Sequence, residues 1–286
     1  MSIKEIVVFG SLHYDIFVDS PLLPIIGETV TGNNWYPKVG GKGGNQAIAV
    51  SKSNVTIKLI SAVGKDNFSK YILKNLEKEN IDTKYIQLLE SCNTGISVAI
   101  SNNDGDYGAV IVSGANLNIK TDILNDSNFW KNVKILMLQN EIDETTNIYA
   151  AKKAKEYGVI VFYNAAPAKK MNLDLFKLID ILLVNEIEAK YIANMEILNL
   201  EDLKTASKIL SNNIPIVIIS AGEKGVMLCE KDKNPIHFEG LKVLVKSTHG
   251  AGDTFAGTFC ANLVLGKKLI EAIKIANKKA AEFISS

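Results

Sequence analysis

Four residues near the carboxyl end of the chain, Gly250-Ala251-Gly252-Asp253, have the types and order needed to bind an anion and move a proton. They directly precede an apolar segment with helical spacing, residues 254–265. The first amides of a helix lack partners inside the helix and attract negative charge, and small side chains let phosphate oxygens reach them. A carboxylate here fits a base that accepts the proton of a hydroxyl attacking that phosphate. Taken alone, the stretch also fits a glycine turn with Asp253 as helix N-cap.

A second glycine-rich segment, residues 39–46, reads VGGKGGNQ. It does not match a P-loop, because Gly43 stands where that motif needs Ser or Thr after Gly-Lys. It does not match a dinucleotide loop either, because Gln46 occupies the place of the third glycine. The four glycines would let a ligand approach the backbone closely. Lys42 and Asn45 can hydrogen-bond hydroxyl groups, so the segment favours a polyol over an apolar ligand.

A third glycine-rich turn, Ser220-Ala221-Gly222-Glu223-Lys224-Gly225, directly follows a predicted strand at residues 214–220. Ligands of open α/β sheets lie at the carboxyl ends of strands. The turn is therefore a candidate ligand site, although an ordinary strand-end turn explains it equally well when it is taken alone.

Short apolar runs alternate with segments of helical spacing over most of the chain. The pattern predicts strands at residues 6–9, 58–63, 135–138, 159–163, 181–184 and 214–220. It predicts helices at residues 45–53, 66–80, 145–157, 186–193, 203–212, 254–265 and 269–285. Buried strands that alternate with helices are typical of an α/β fold, in which helices cover both faces of a largely parallel sheet.

Two regions interrupt this alternation, residues 16–38 and 95–112, which carry short and partly polar strand-like runs. In the second region, residues 96–100 and 109–112 are predicted to form a hairpin with Asn103-Asp104-Gly105 as its turn. Such strands fit poorly inside a parallel core. We therefore expect a small antiparallel flap beside the main domain.

The composition argues against several classes of protein. The chain has 286 residues, 47% of them hydrophobic, which suffices for a large core, and its net charge of +1 offers no basic field to a nucleic acid. No apolar run is long enough to cross a membrane, and the N-terminal run is predicted to be a buried strand rather than a signal peptide. The cysteines fit neither a disulfide framework nor a zinc site, so we expect free thiols in a cytoplasmic protein. They are Cys92, Cys229 and Cys260.

The three glycine-rich segments, in this order and with a carboxylate after the last, resemble the ribokinase-like (PfkB) family of sugar and nucleoside kinases, and within it the ribokinase branch. The likeness extends over nearly the whole chain. Each motif is weak by itself, but their common order is highly specific. The motifs are GSLHYD at 10–15, GETV at 27–30, GGKGGNQA at 40–47, TG at 94–95, GAN at 114–116, LQNE at 138–141, NEIE at 185–188, SAGEKG at 220–225, GAGD at 250–253 and AN at 276–277.

The resemblance implies roles for individual residues. Asp253 is the implied catalytic base, and the amides of Gly250, Ala251, Gly252 and Asp253 are the implied anion hole for the transferring phosphoryl group. The positions that hold the sugar are His13, Asp15, Gly41, Lys42, Gly43, Asn45, Glu141 and Asp253. The positions along the nucleotide are Asn185, Ser220, Ala221, Gly222, Glu223, Gly225, Gly252 and, near the adenine, Asn277.

The resemblance also implies ATP with Mg²⁺ and a three-layer α/β/α sandwich with a small β-sheet lid. Asn185 and Glu188 match the NxxE motif that positions magnesium through its water shell, and Mg²⁺ commonly keeps several waters. The flap corresponds to the family's lid, which excludes water and through which two copies would form a homodimer. Residues 1–286 would then be one kinase domain, with the lid at about 16–38 and 95–112.

Three residues depart from the pattern of ribokinases. His13 replaces an asparagine at a position that touches sugar hydroxyls, which weakens the case for ribose itself unless the imidazole lies outside the pocket. Ser247 replaces an aspartate that helps to bind a monovalent cation, and the chain stops at Ser286, before the loop that completes that site. The sequence therefore argues against potassium activation. His249 adds positive charge beside the anion hole only when protonated, and we expect it to point to solvent.

The leading hypothesis is an ATP- and magnesium-dependent kinase that transfers the γ-phosphoryl group to the primary hydroxyl of a pentose or similar sugar. The alternative is a nucleoside kinase, whose nucleobase slot would be built by Tyr14, Phe17, Trp35 and Tyr36. A third hypothesis, a non-catalytic sugar- or nucleotide-binding protein, is disfavoured because the carboxylates and the glycine turn needed for the reaction are all present.

Overall fold

Strands and helices alternate along most of the chain. The computed structural model describes residues 4–102 and 107–285. The strands are β1 (Glu5–Phe9), β2 (His13–Asp19), β3 (Asn34–Gly40), β4 (Thr56–Gly64), β5 (Ile86–Leu89), β6 (Gly95–Ser101), β7 (Tyr107–Val112), β8 (Val133–Gln139), β9 (Ile160–Asn164), β10 (Ile181–Asn185), β11 (Ile216–Ser220), β12 (Val226–Glu230) and β13 (Ile236–Phe238). The α-helices are α1 (Lys42–Ser51), α2 (Asn67–Lys78), α3 (Ser127–Trp130), α4 (Glu144–Glu156), α5 (Leu173–Phe176), α6 (Glu186–Ala193), α7 (Leu200–Ser211), α8 (Ala251–Val264) and α9 (Leu269–Ser285). Short 3₁₀ turns lie at Gly114–Asn118, Asp122–Asn125 and Gly222–Lys224.

The main sheet, within the described residues, has the order β13-β12-β11-β10-β9-β8-β1-β4-β5. The six strands that the apolar runs predict, β11 to β8, β1 and β4, lie side by side at its centre and pair in parallel, which confirms the α/β prediction. The sequence pattern does not predict the edge strands. β5 and β13 have only 4 and 3 residues, and β12 returns antiparallel to β11, outside the alternation of strand and helix.

Alternate residues of the central strand β1 point to opposite faces of the main sheet. Val7 and Phe9 belong to one apolar cluster and Ile6 and Val8 to another, and all four side chains are fully buried. Helices α4, α6 and α7 cover the first cluster, and α1, α2, α8 and α9 cover the second. The main body is therefore a three-layer α/β/α sandwich, as the resemblance implies.

The long predicted helices form, but several begin earlier than their apolar spacing indicates. Helices α1, α7 and α8 start at Lys42, Leu200 and Ala251, three residues before the predicted starts at 45, 203 and 254. The first turns of α1 and α8 contain mainly small or polar residues, which have no apolar period to reveal them. This shift places Lys42 and Asp253 inside helices rather than in loops.

The composition also predicts free thiols and no membrane-spanning segment. Cys229 and Cys260 are buried, Cys92 is partly buried, and all three are free thiols. Burial raises the pKa of the Cys260 thiol, so this group stays neutral and is a weak nucleophile. In the part of the chain that the structure describes, no helix combines the length and the apolar character that crossing a membrane requires.

The predicted flap is a second sheet, called the lid below, with the order β3-β2-β6-β7. Strand β2 pairs antiparallel with β3 and parallel with β6, and β7 pairs antiparallel with β6, which confirms the predicted hairpin strands. The proposed turn at Asn103-Asp104-Gly105 lies outside the described residues. The lid is longer than predicted, because β2 begins at His13 rather than at residue 16 and β3 ends at Gly40 rather than at residue 38.

One buried side chain, Asn116, connects two ends of the lid to the main body. Its Oδ1 accepts from the backbone N–H of Leu12 at 2.8 Å, and its Nδ2 donates to the carbonyls of Leu12 and Ser113, both at 2.9 Å. Leu12 directly precedes β2 and Ser113 directly follows β7. Asn116 is 1% exposed, so water does not replace these bonds. The position of the lid therefore depends on this amide.

We expect Asn116→Leu to lower the free energy of unfolding by at least about 2 kcal/mol, because each buried backbone group left unpaired costs about 1–3 kcal/mol. Urea denaturation measures this change. The matched control is Asn118→Leu in the same 3₁₀ turn, where the side chain is exposed and an effect within about 0.5 kcal/mol is expected. Equal effects of the two substitutions would contradict the assigned role of Asn116.

Candidate active site

Helix α8 begins with the arrangement that an anion site requires. Its N-cap, Gly250, has φ +84°, in the left-handed region that favours glycine, and no side chain caps the helix. Within the described residues, the amides of Gly250, Gly252 and Asp253 have no acceptor, whereas the amide of Ala251 donates to the Thr248 carbonyl at 3.3 Å. A Cβ built on Gly252 would meet no described atom within 4 Å. Three of the four predicted amides are therefore free, and the space next to them is open.

The carboxylate of Asp253 is 5% exposed and lies in the first turn of α8. Its Oδ2 accepts from Asn45 Nδ2 at 3.2 Å and its Oδ1 from Gln46 Nε2 at 3.0 Å. The side chain does not cap the helix, so the alternative interpretation of Asp253 as an N-cap is wrong. Burial raises its pKa, and nearby Glu141 adds to the rise, while Lys42 and the two amides oppose it without cancelling it. A higher pKa makes a carboxylate a stronger base.

Lys42 lies among three carboxylates that come from different parts of the chain. Burial by itself lowers the pKa of its ammonium, but Asp253, Glu141 and Glu188 raise it more, so the group remains charged. The backbone N–H of Lys42 also donates to Glu141 Oε2 at 2.8 Å. This ammonium balances part of the negative charge of the cluster. Glu188, predicted on the nucleotide side, interacts electrostatically with both Lys42 and Asp253.

The glycines before and within the first turn of α1 have a packing role that the sequence analysis did not predict. A Cβ on Gly43 would lie 2.6 Å from the carbonyl carbon of Gly10, and one on Gly41 would lie 2.8 Å from the carbonyl oxygen of Ser11. Gly41 also has φ +81°. These glycines let the start of α1 pack against residues 10–11 of the chain itself. Their approach to a ligand remains a prediction.

The predicted sugar residues of the lid and of the loop after β8 lie together. Ser11 Oγ donates to Glu141 Oε2 at 2.6 Å, and His13 Nδ1 lies 4.0 Å from the same oxygen. His13 is 2% and Asp15 is 3% exposed, so His13 lies inside the site rather than outside it. Within the described residues, His13 Nε2 and Asp15 Oδ1 are buried without a hydrogen-bond partner. Buried polar atoms are nearly always paired, so these two are candidate contacts for ligand hydroxyls.

His249 does not simply point to solvent. Its ring is 57% exposed, but Nε2 lies 3.8 Å from Asp15 Oδ2. The edge of the ring also faces Phe17, with ring centroids 5.4 Å apart. The expectation of a solvent-directed side chain is therefore wrong in part, because His249 connects the loop before α8 to the inner face of the lid.

The predicted nucleotide residues form a second group at the carboxyl ends of β10 and β11. Asn185 and Ser220 are direct neighbours in the parallel register. The turn that follows, Gly222–Lys224, includes the exposed Glu223, and Ala221 N–H donates to the Gly225 carbonyl at 2.8 Å. Gly225 packs so closely on residues 238–240 that a Cβ would overlap their backbone. Asn277 Nδ2 donates to the Glu239 carbonyl at 3.1 Å, which brings it to the same edge.

Asn185 and Glu188 form a reciprocal capping box at the start of α6. Glu188 accepts from the backbone N–H of Asn185 at 2.8 Å and from its Nδ2 at 3.1 Å, and Asn185 Oδ1 accepts from Glu188 N–H at 2.9 Å. This accounts for the NxxE spacing. Burial raises the pKa of Glu188, the Asn185 amide and Lys42 lower it, and Asp253 raises it.

A magnesium ion held through its waters fits these two residues. Among residues 4–102 and 107–285, no group of three or more His, Cys, Asp or Glu side chains is placed to hold a metal directly. Each oxygen of Glu188 accepts one bond and keeps a lone pair for a metal-bound water. Mg²⁺ usually keeps several waters and is bound through only one or two carboxylates, so one buried carboxylate is sufficient for this role.

Sequence reasoning missed two residues that hold the site together, Gln46 and Ser11. Both are fully buried polar side chains, and each binds a carboxylate of the cluster. The available signal is the polarity of Gln46 in the otherwise apolar helical stretch after Asn45, since buried glutamine needs a partner. Ser11 gives no comparable signal, because serine is common in the loops between strands and helices.

The free amides at the start of α8, the buried carboxylate of Asp253 in its first turn and the unpaired polar atoms of His13 and Asp15 fit an α/β phosphotransferase that acts on an alcohol group. Residues 3–286 match the family model described as pfkB family carbohydrate kinase, and the chain belongs to this family. The ribokinase-like resemblance is thereby confirmed.

Individual relatives agree with this family. The chain is 33% identical over 280 residues to a ribokinase of Haemophilus influenzae, covering 97% of this chain and 91% of that protein. It is 28% identical over 273 residues to a deoxyribokinase of Salmonella typhi, covering 94% and 89%. The structure of Arabidopsis thaliana ribokinase complexed with ribose and ATP matches with a TM-score of 0.91 at 29% identity, over 100% of this chain and 94% of that one.

We expect Lys42→Met to lower the melting temperature at pH 7.5 by about 5 °C or more, because buried carboxylates lose the cation that balances them. The deficit should shrink as the pH falls towards 5. The pKa of Lys42 is raised, so the wild-type ammonium is charged throughout, whereas Asp253 and Glu188 already have raised pKa values and would take up protons more readily without it. Differential scanning fluorimetry across pH measures the effect.

The control for Lys42 is Lys52→Met at the other end of α1. Lys52 forms an exposed pair with Glu79 at 3.9 Å, for which a change within about 1 °C at every pH is expected. A deficit for Lys42→Met that stayed constant or grew towards pH 5 would contradict the charge-balancing role.

Proposed function

We propose that this protein is an ATP-dependent sugar kinase that transfers the γ-phosphoryl group to the primary hydroxyl of a pentose or similar sugar. The observation that carries the proposal is the position of Asp253, a buried carboxylate of raised pKa in the same helical turn as free backbone amides. The similarity to a ribokinase complexed with ribose and ATP supports the acceptor and the donor.

Each part of the site has a place in this reaction. Asp253 accepts the proton of the acceptor hydroxyl as it attacks the γ-phosphorus, and the amides of Gly250, Gly252 and Asp253 stabilise the charge on the transferred group. Asp15, His13 and Glu141 bind the other hydroxyl groups of the sugar. Mg²⁺ bound through water near Asn185 and Glu188 would neutralise phosphate charge. The lid keeps water from accepting the phosphoryl group.

Asp253→Asn should lower turnover by about 10²–10⁴-fold, because the amide cannot accept the proton. ATP affinity, measured by calorimetry, should stay within about twofold, since the helix amides are unchanged. The control is Asp126→Asn, which alters an exposed N-cap of α3 and should leave turnover unchanged. An active wild type with an equally active Asp253→Asn protein would remove Asp253 from the mechanism.

A nucleoside kinase is the second candidate, and one observation favours it. Phe17 and Tyr36 lie on the same lid face as Asp15 and stack on each other with centroids 5.3 Å apart, so they could form one wall of a nucleobase slot. The other aromatics proposed for the slot do not join them. Tyr14 packs on Phe68 at a centroid distance of 4.5 Å, and Trp35 shares the opposite lid face with it.

A thermal-shift panel separates the two candidates. Ribose, deoxyribose, other pentoses, hexoses and nucleosides are compared at one common concentration, at which a ligand present at about 100 times its dissociation constant stabilises the protein by about 2.7 kcal/mol. The sugar-kinase proposal predicts shifts with a pentose or similar sugar and none that is specific to nucleosides. A panel in which nucleosides stabilise the protein and free pentoses do not would favour the second candidate.

We further propose a cytoplasmic homodimer formed through the outer face of the lid. Apolar side chains on this face are exposed, including Trp35 at 60%, Val110 at 67% and Val112 at 54%. Register and alternation place all three on the same face, opposite Asp15. An exposed apolar face of this kind is typical of a protein–protein contact.

We also propose that turnover does not depend on potassium. Ser247 offers no carboxylate, its backbone N–H donates to the Ile284 carbonyl at 3.4 Å, and its Oγ accepts from His249 N–H at 3.3 Å. These groups are engaged with the chain itself.

A further inference from the structure

A series of buried amide groups leads from the proposed base into the core. Gln46 Nε2 donates to Asp253 Oδ1 at 3.0 Å, and Gln139 Nε2 donates to Gln46 Oε1 at 2.9 Å. Both glutamines are completely buried. The backbone carbonyl of Gln139 accepts from Asn147 Nδ2 at 2.8 Å, so the series extends to helix α4 on the opposite face of the main sheet.

The members of this series determine its direction. A side-chain amide donates only through nitrogen and accepts only through oxygen. Because the oxygen of Gln46 accepts from Gln139, its NH₂ group must face Asp253. Gly10 bounds Gln139 on its other side, where a Cβ would overlap the side-chain oxygen of Gln139. The opposite orientation of Gln46 would place its oxygen against the carboxylate, which only accepts, so the donor of Gln46 faces Asp253; the side-chain oxygen of Gln139 is itself buried without a partner within the described residues.

We propose that Gln46 is a positioning residue for the base, which holds Asp253 ionised and turned with Oδ2 towards the acceptor hydroxyl, and that Gln139 fixes Gln46 in this orientation. The proposal rests on the proposed function of Asp253. A donor to a carboxylate stabilises its charged form, and such bonds are about twice as strong as neutral ones. The bond from Asn45 to Oδ2 is longer, at 3.2 Å, which leaves that oxygen the better placed to accept a proton.

The expected consequence concerns the protonation of the base. Burial raises the pKa of Asp253, and the bond from Gln46 lowers it again. The charged groups that face Asp253 are Lys42 of α1, Glu141 after β8 and Glu188 of α6. All three are retained when only the glutamines are changed. Loss of the Gln46 donor should therefore raise the pKa of Asp253 and require a higher pH for catalysis.

The test is the pH dependence of turnover in Gln46→Leu. We expect the acid limb of the kcat profile to move up by about one to two pH units, which corresponds to the loss of one hydrogen bond to a charged group. On that limb, turnover should fall about tenfold or more relative to the wild type, whereas KM for ATP should change little. Gln139→Leu, which touches neither Asp253 nor the anion site, should shift the limb in the same direction by a smaller amount.

The matched control is Gln87→Leu, which removes a glutamine that binds Lys120 at the edge strand β5, and no shift is expected from it. A purely structural role for Gln46 would lower stability without moving the acid limb. An unshifted limb in Gln46→Leu therefore overturns the proposal. If that variant does not fold, Gln139→Leu decides, and an unshifted limb there has the same consequence.

A second readout does not require the correct substrate. The ¹³C carboxyl resonance of Asp253, identified by its disappearance in Asp253→Asn, should titrate at higher pH in the glutamine variants than in the wild type. If the wild type phosphorylates none of the pentoses and hexoses of the thermal-shift panel and this shift occurs, the proposed function fails and the positioning role stands. If the wild type is active and neither the resonance nor the acid limb shifts, the positioning role fails alone.

Discussion

The burial of a carboxylate beside the free amides of α8 is the constraint on which the rest of the site depends. Removing Asp253 from water is costly, and the cost is acceptable only if nearby groups replace the lost solvation. Lys42, Asn45 and Gln46 do this, and all three belong to the first turns of α1. Helix α1 must therefore lie close to α8. Gly257 in the middle of α8 permits this, since a Cβ there would lie 2.6 Å from the carbonyl oxygen of Gln46.

The lid strands lie next in sequence to the residues that form the charged cluster around Asp253. Strand β3 ends at Gly40 and α1 begins at Lys42, so a lid strand continues almost directly into the helix whose side chains bind Asp253. On the other side, Ser11 binds Glu141 two residues before β2 begins at His13. The lid thus meets the main body within a few residues of the charged cluster. The positions of the lid and of the charged cluster are therefore connected through short segments of the chain.

Features that arise from neighbouring residues in the sequence could be predicted from local patterns. The six central strands are continuous apolar runs, and the anion turn with its carboxylate is contiguous in sequence, so both could be predicted from residue types alone. Gln46 and Asp253 are 207 residues apart, and nothing in the local sequence around either indicates their bond. The packing of Gly41 and Gly43 on residues 10 and 11 could not be predicted either, because those residues are not their neighbours in the sequence. The grouping of His13, Asp15 and Glu141 followed only from the family resemblance.

The charges around the acceptor subsite also limit what the protein can bind there. Glu141 and Asp253 lie within electrostatic reach of Lys42, and the buried Asp15 belongs to the proposed sugar subsite. Each of the two histidines that depart from the ribokinase pattern lies opposite one of these acids, His13 at 4.0 Å from Glu141 and His249 at 3.8 Å from Asp15. An acceptor with a carboxylate or phosphate of its own would add negative charge to a buried site that already holds an excess of it. A neutral polyol, by contrast, can donate hydroxyl protons to the acids and accept from imidazole. The two histidines therefore change the hydrogen bonds that the proposed site offers to a sugar, while the carboxylate and the free amides proposed for phosphoryl transfer are present.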